Sequence, residues 1–356
     1  MKKLLLAVFS VLLFTGNADA QGCVAIRSNG GYCSRTHSAH QTDWNLSINN
    51  RYFKSFRHFV GTVEQKQRIE QGTQVINHSW ATNFFLTRNL KNGWSLGFDI
   101  PVIANDRSSL YEHGGRSRHV TSSFGLGDIR FVINKWLTDP AKMNKFNVQA
   151  GLGLKLPTGD FRFQDKFYVN DSTSILGPVD QSIQLGDGGT GLSLELNATY
   201  QFSSKFSAYG YVYYLANPRE QNGVSTARGA TPSVASQRYK SDVMSVPDQY
   251  MWRAGFNYQV KQFTFSAGAR HECIPVHDLI GGSGGFRRPG YVISAEPGIT
   301  WEGKKVSWFT YVPFSLVRSR TQSVPDKIRT QITGVYAQGD AAFADYTINL
   351  GLRFGL

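Results

Sequence analysis

The densest run of chemically capable side chains is RHECIPVHDLIGGSGGFRRPGY, residues 270–291. Arg270 and Glu272 leave an alternating stretch on one face, His271, His277 and Asp278 follow, and Arg287 and Arg288 close the run before Pro289. Guanidinium groups in such a set can hold an anion, and imidazoles with carboxylates can hold a metal. The His and acidic spacing matches no standard metal pattern, however, and Gly281, Gly282, Gly284 and Gly285 suit an ion-paired loop, so neither metal nor cofactor is expected. A second candidate is Asn77-His78-Ser79, which contains the residue types of a nucleophile and its base. Neighbours in a strand point to opposite faces, so His78 and Ser79 cannot form a dyad with each other, and no G-x-S-x-G elbow occurs. No catalytic residues are expected, because an acyl hydrolase here would need a triad assembled from distant strands.

The elements that must position these side chains share a period of two. In FGLGDIRFVINKWL (124–137), Ile129, Phe131 and Ile133 alternate with Asp128, Arg130, Val132 and Asn134. In FNVQAGLGLKLPTGDF (146–161), Val148, Ala150, Leu152, Leu154 and Leu156 alternate with Gln149, Gly151, Gly153 and Lys155. The pattern recurs over 43–53, 73–88, 93–103, 127–137, 146–157, 190–202, 206–216, 249–260, 263–273, 290–301, 306–317 and 343–354. Segments of about ten residues repeated in this way predict an all-β fold, a transmembrane antiparallel up-and-down β-barrel of about twelve strands. The connectors alternate between short (90–93, 138–145, 203–205, 261–262, 302–305) and long (54–72, 104–126, 158–189, 217–248, 274–289, 318–342). Short periplasmic turns and long outer loops are the asymmetry of such barrels, and an even strand count places both mature ends in the periplasm.

Register then sorts the charges. Leu192, Leu194 and Leu196 face lipid, as do Trp252, Phe256, Ile348 and Leu350, which turns Arg51, Asp99, Asp128, Arg130, Lys155, Glu195, Arg253, Arg270, Glu272, Glu296 and Arg353 towards the lumen. Charges at that depth are paired or wet. All of these except Arg51 and Asp99 are the candidate solute-contacting and pore-lining residues, with the aromatics Phe309 and Tyr311 on an inward register beside them.

The N-terminus carries Lys2 and Lys3, an apolar run from Leu4 to Phe14, and Ala18-Asp19-Ala20, so residues 1–20 read as a signal peptide. Residues 21–42 show no strand period and are expected to form a periplasmic arm or partial plug, with 43–356 as the barrel. Cys23 and Cys33 are expected to form a small disulfide loop, leaving Cys273 as the odd cysteine. Mean hydropathy is −0.30, because lumen and lipid faces average out. Tyr 16, Phe 24 and Trp 7 are enough to supply interfacial girdles. The net charge of +13 is scattered without a nucleic-acid motif and suits anionic lipopolysaccharide or a lumen biased towards anions.

With FGLGDIRF (124–131), LKLPTGDF (154–161) and LGDGGTGLSLELNATYQF (185–202), the chain resembles the meta-pathway phenol degradation proteins. Those are outer-membrane barrels loosely grouped with FadL-type hydrocarbon channels. The resemblance implies uptake of small aromatic or hydrophobic solutes. The last strand also resembles a barrel assembly signal, which implies an encounter with the barrel assembly machinery, but it closes on Leu356 rather than an aromatic. The expected function is a monomeric channel in the bacterial outer membrane for such small molecules. The alternatives are a weakly anion-selective general porin, a structural barrel and an acyl hydrolase.

Overall fold

The computed structural model describes residues 43–356 apart from 116, 140–144 and 171. The expected signal peptide, the arm and the Cys23–Cys33 bridge lie outside the described residues. The chain forms a closed barrel of twelve antiparallel strands: β1 Trp44–Val60, β2 Ile76–Asn89, β3 Trp94–Ser109, β4 in two parts (His119–Leu126 and Arg130–Trp136), β5 Phe146–Lys155, β6 Gly191–Gln201, β7 Phe206–Ala216, β8 Gln249–Val260, β9 Phe263–Ile274, β10 Gly290–Glu302, β11 in two parts (Val306–Tyr311 and Phe314–Arg320) and β12 Ala341–Gly355. Each strand pairs with its sequence neighbour, and β12 closes on β1 from Asn45 opposite Gly355 to Phe59 opposite Ala341. Closure matters because an unpaired backbone group inside a bilayer costs several kcal/mol, and a closed ladder has no edge.

Alternation decides the two faces. On β6, Leu192, Leu194 and Leu196 are exposed while Ser193 and Glu195 are buried; on β8, Trp252 and Phe256 are exposed while Arg253 and Asn257 are buried. Inverting the soluble pattern in this way is what lipid outside and polar groups inside require. Inside, bulky rings fit because glycines face them: a Cβ on Gly298 would collide with the Tyr311 ring, and one on Gly351 with the Phe309 ring. These cross-strand pairs let wide aromatic side chains lie flat against the wall.

Three features depart from the expected strands. β4 begins at His119, whereas 104–126 was expected to be loop, and the strand is interrupted at 127–129, so Asp128 sits in a break and not in the alternation. The reason is a set of tertiary contacts: the Asp128 carboxylate accepts the backbone N–H groups of Gly159 (3.0 Å) and Asp187 (3.1 Å). Thr158 Oγ1 accepts the Ile129 N–H at 2.9 Å, so side chains replace the ladder there. β11 is broken at Val312 and Pro313, where proline lacks a ladder donor. β1 and β3 run on to Val60 and Ser109, well beyond the expected limits, and lengthen the wall at the end that carries the long connectors.

The long connectors gather at one end. There the hairpins Gln164–Tyr168/Ser174–Pro178 and Gln221–Ser225/Val243–Ser245 lie with the helix Val324–Thr333, which starts at a Ser323/Asp326 capping box and stops at Gly334 with φ 71°.

Candidate functional site

The site is built where the connector 158–190 turns into the barrel mouth. Asp180 starts this turn by accepting Ser182 N–H (3.0 Å) and Ser182 Oγ–H (2.7 Å), and a 3-10 turn follows at Gln181–Ile183. Ile183 is completely buried, and its carbonyl accepts from Asn105 Nδ2 (3.2 Å) and from the Ser123 hydroxyl on the inner wall. Gln181 Nε2 donates to the Ser245 carbonyl at 2.8 Å, tying the turn to the next long connector.

A chain of charges holds it in place. Arg288 donates to both Asp180 oxygens (2.9 and 2.6 Å), and Arg107 lies 3.6 Å from the same carboxylate while making a bidentate pair with Glu112 (3.0 and 2.9 Å). Arg228 reaches Glu112 at 3.0 Å. Burial pushes the Asp180 carboxyl up, but the Arg107 and Arg288 guanidinium groups outweigh burial and hold it well below the usual carboxylate range. Glu112 is lowered in the same manner, with Arg107 overcoming its burial. The chain Arg228–Glu112–Arg107–Asp180–Arg288 thus fastens four outer segments together.

Two cavities meet across this turn. The outer one, about 380 Å³, is bounded by Asp180, Arg228, Arg288, Tyr239, Met244 and Arg329 among others. The inner one, about 110 Å³, is bounded on the outer side by Gln181, Ser182, Gln184 and Ser245, and below by Asp99, Asp128, Arg130, Lys155, Asp187 and Tyr213. Adjacent residues, Asp180 with Gln181 and Met244 with Ser245, face opposite chambers, so the turn and the start of 244–247 form the partition.

The residues singled out from the sequence fall into several groups. Asp128, Arg130 and Lys155 line the inner chamber: Lys155 bridges Asp187 and Asp128, the latter at 3.7 Å. Arg130 pairs with Glu195 at 2.8 Å, and Glu195 also accepts the Tyr211 hydroxyl at 3.0 Å. A separate cluster is formed by Arg253, Glu296, Arg270 and Glu272: Arg253 Nε donates to Glu296 at 2.6 Å, Arg270 reaches Glu296 at 3.4 Å and Glu272 at 2.8 Å, and the Arg253 guanidinium lies 5.2 Å from the Tyr311 ring. Arg353 is half-buried on the inward register near the short turns and lines neither chamber.

The run 270–291 is divided. His271 stacks against Trp252 on the outward face (5.6 Å), Arg287 makes a buried bidentate pair with Asp278 (2.7 and 2.6 Å) and donates from Nε to Ser245 Oγ (3.1 Å), Arg288 joins the mouth through Asp180, and Ile274 lines the inner chamber. His78 hydrogen-bonds Tyr52 at 2.8 Å, whereas Ser79 donates to Asn105 at 2.7 Å on the other face. Among the described residues no group of three or more His, Cys, Asp or Glu is arranged to hold a metal. Asp180, Gln181, Gln184 and Asp187 were missed by sequence reasoning because they lie in a connector without periodicity. An Asp two residues before a Ser signals a turn, yet carries no information about whether that turn points inward.

No family model matches the chain, and no curated protein matches it, so the meta-pathway resemblance remains an expectation. Among solved structures, the chain is similar to an outer membrane channel from Pseudomonas putida F1, with 10% identity over 89% of this chain and 98% of that one and a TM-score of 0.58. The CymD monoaromatic hydrocarbon channel (11% identity, 96% and 98% covered, TM-score 0.44) and the β domain of the Bordetella autotransporter BrkA (12%, 88% and 100%, 0.45) fall below 0.5 and carry no weight. The similarity to the first, at its low identity, establishes the fold: the chain has the closed barrel architecture of outer-membrane channels.

Proposed function

We propose that this chain is a passive channel of the bacterial outer membrane for small aromatic or hydrophobic solutes, with its long connectors outside and the turn 180–184 as its gate. The observation that carries this reading is the pair of cavities lying back to back, divided by a short, ion-locked turn together with the start of 244–247. Displacing that turn would join an outer vestibule to an inner chamber inside a membrane-type barrel. The inner chamber is of the scale of an engineered cavity of about 150 Å³ that takes up benzene, and Tyr213, Leu215 and Ile274 give it an apolar wall. Lipopolysaccharide and outer-membrane lipid would meet the basic, apolar-banded exterior of a monomer.

A general, weakly anion-selective porin is less well supported. Arg253, Arg270, Glu296 and Tyr311 are each at most 4% exposed, whereas a wide aqueous lumen leaves its lining wet. The test is reconstitution of the whole chain in planar bilayers and liposomes. Small, gated conductance with saturable uptake of labelled toluene is expected. Large ohmic conductance without toluene uptake would establish the porin instead, and neither current nor uptake would leave a structural barrel.

A further inference from the structure

The outer chamber gathers more guanidinium than carboxylate. It is bounded by Arg228, Arg288, Arg320 and Arg329 and by Asp180, Asp326 and Asp340. Each of these carboxylates is already committed: Asp180 to Arg288 at 2.6 Å, Asp326 to Arg320 at 3.1 Å, and Asp340 to Arg68 at 2.7 Å. Glu112, the partner of Arg228, is shared with Arg107. With those partners included, six guanidinium groups meet four carboxylates, a surplus of two positive charges.

Two of these arginines have N–H groups to spare and are open to solvent. The Arg228 side chain is 36% exposed and donates to Glu112 from one nitrogen. Arg329 is exposed and has no carboxylate partner among the described residues. Its guanidinium lies 5.9 Å from the Tyr239 ring, a cation–π contact that joins the helix Val324–Thr333 to the connector 217–248. The Arg320–Asp326 pair and the Ser323/Asp326 capping box fix the start of that helix, so Arg329 is held beside the chamber. A guanidinium fork of this kind matches a carboxylate or a phosphate. The rest of the lining favours the first, because Tyr239, Met244, Phe286, Pro178 and Pro325 supply apolar surface that a bare phosphate leaves unused. An ammonium ion would meet the positive surplus, and a neutral ring would leave it uncompensated.

From these observations we infer that the outer chamber is a binding site for aromatic carboxylates of single-ring size. The carboxylate meets Arg329, with Arg228 as the second available cation on the same cavity, and the ring lies against Tyr239 and Phe286. The chamber volume of about 380 Å³ is that of a small-ligand pocket. This assignment rests on the channel reading and names the solute class that gathers outside the turn 180–184. It predicts selection for charge and ring together, since neither part of the lining is satisfied by the other's partner.

The test is calorimetric binding to the full chain in non-ionic detergent, with four probes: benzoate, benzamide, acetate and inorganic phosphate. Benzoate is expected to bind tightest, roughly tenfold over benzamide, which keeps the ring and lacks the charge, and over acetate, which keeps the charge and lacks the ring. Phosphate should also bind more weakly than benzoate. Arg329→Gln and Arg228→Gln should each lower benzoate affinity roughly tenfold, the ratio one charge-assisted hydrogen bond supplies. The second leaves Glu112 paired with Arg107, and heat-modifiable migration shows that each barrel is folded. Lys327→Gln removes a charge from the same helix at a side chain that lies beside His277 and not on the chamber. It should change benzoate affinity by less than about twofold, because salt screens exposed charges. If either arginine variant fails to fold, the other and the four-probe series still decide. Benzamide or acetate binding as tightly as benzoate, tighter binding of phosphate, no benzoate binding, unchanged benzoate affinity in a folded arginine variant, or an equal loss in Lys327→Gln would each overturn the inference. A wild-type chain that conducts and takes up toluene but does not bind benzoate leaves the channel reading intact. One that binds benzoate but neither conducts nor takes up toluene refutes the channel and leaves the site.

Discussion

The substitution Asp180→Asn tests the gate most directly, because it changes charge without changing shape. Asp180 holds Arg288 through two hydrogen bonds and Arg107 at 3.6 Å, and its side chain and that of Arg107 are each only 5% exposed. Removing one partner from a buried ion pair costs about 3–5 kcal/mol. Asparagine keeps one carbonyl oxygen for Ser182 and Arg288, so the lower end applies. At about 1.4 kcal/mol per decade, roughly 3 kcal/mol shifts the ratio of undocked to docked turn by about two orders of magnitude. Single-channel recording in planar bilayers reads this ratio from open and closed dwell times. Arg288→Gln should act in the same direction, and the double variant should fall short of the sum, since both remove one pair. The reasoning is refuted if folded Asp180→Asn and Arg288→Gln channels both keep the wild-type open-to-closed ratio.

Acid should loosen a second tie at the mouth. Burial pushes the Asp340 carboxyl up, but hydrogen bonds and charge from His58 and Arg68 outweigh it and bring it down to about 2. A depressed carboxyl stabilises the docked connector above its unfolded value of about 3.9 and loses that contribution as pH falls towards the folded one, so protease cleavage within 321–339 should rise between about pH 4 and 2. Glu296→Gln strips Arg253 and Arg270 of the carboxylate they share; by the same buried-pair cost of about 3–5 kcal/mol the urea midpoint should fall, and an unchanged midpoint would show that the cluster adds nothing to stability. Gly298→Val drives a side chain into the Tyr311 ring and should destabilise the barrel by about 1–3 kcal/mol, whereas Gly298→Val/Tyr311→Ala should recover part of that loss in the same urea titration.

What the sequence determined by itself is the barrel. A period of two leaves no freedom about which side chains share a face, so Leu192, Leu194 and Leu196 outside and Ser193 and Glu195 inside followed from order alone. The alternation of connector lengths carried the strand count in the same local way. Tertiary structure decided what the chain closes upon. Asp128 reads as one more inward strand residue, yet it left the ladder because Gly159 and Asp187, 31 and 59 positions away, present N–H groups to it. His271 and Arg288 are close in sequence, but one stacks against lipid-facing Trp252 and the other locks Asp180, 108 positions distant. The turn at 180–184 and most of the outer chamber come from connectors that have no period, and their direction is set by long-range ion pairs between segments, whereas strand residues such as Asp99, Arg130 and Lys155 line the inner chamber. Such pairing depends on which charges the closed barrel brings within about 4 Å of each other, a relation that residue order along a single connector does not contain.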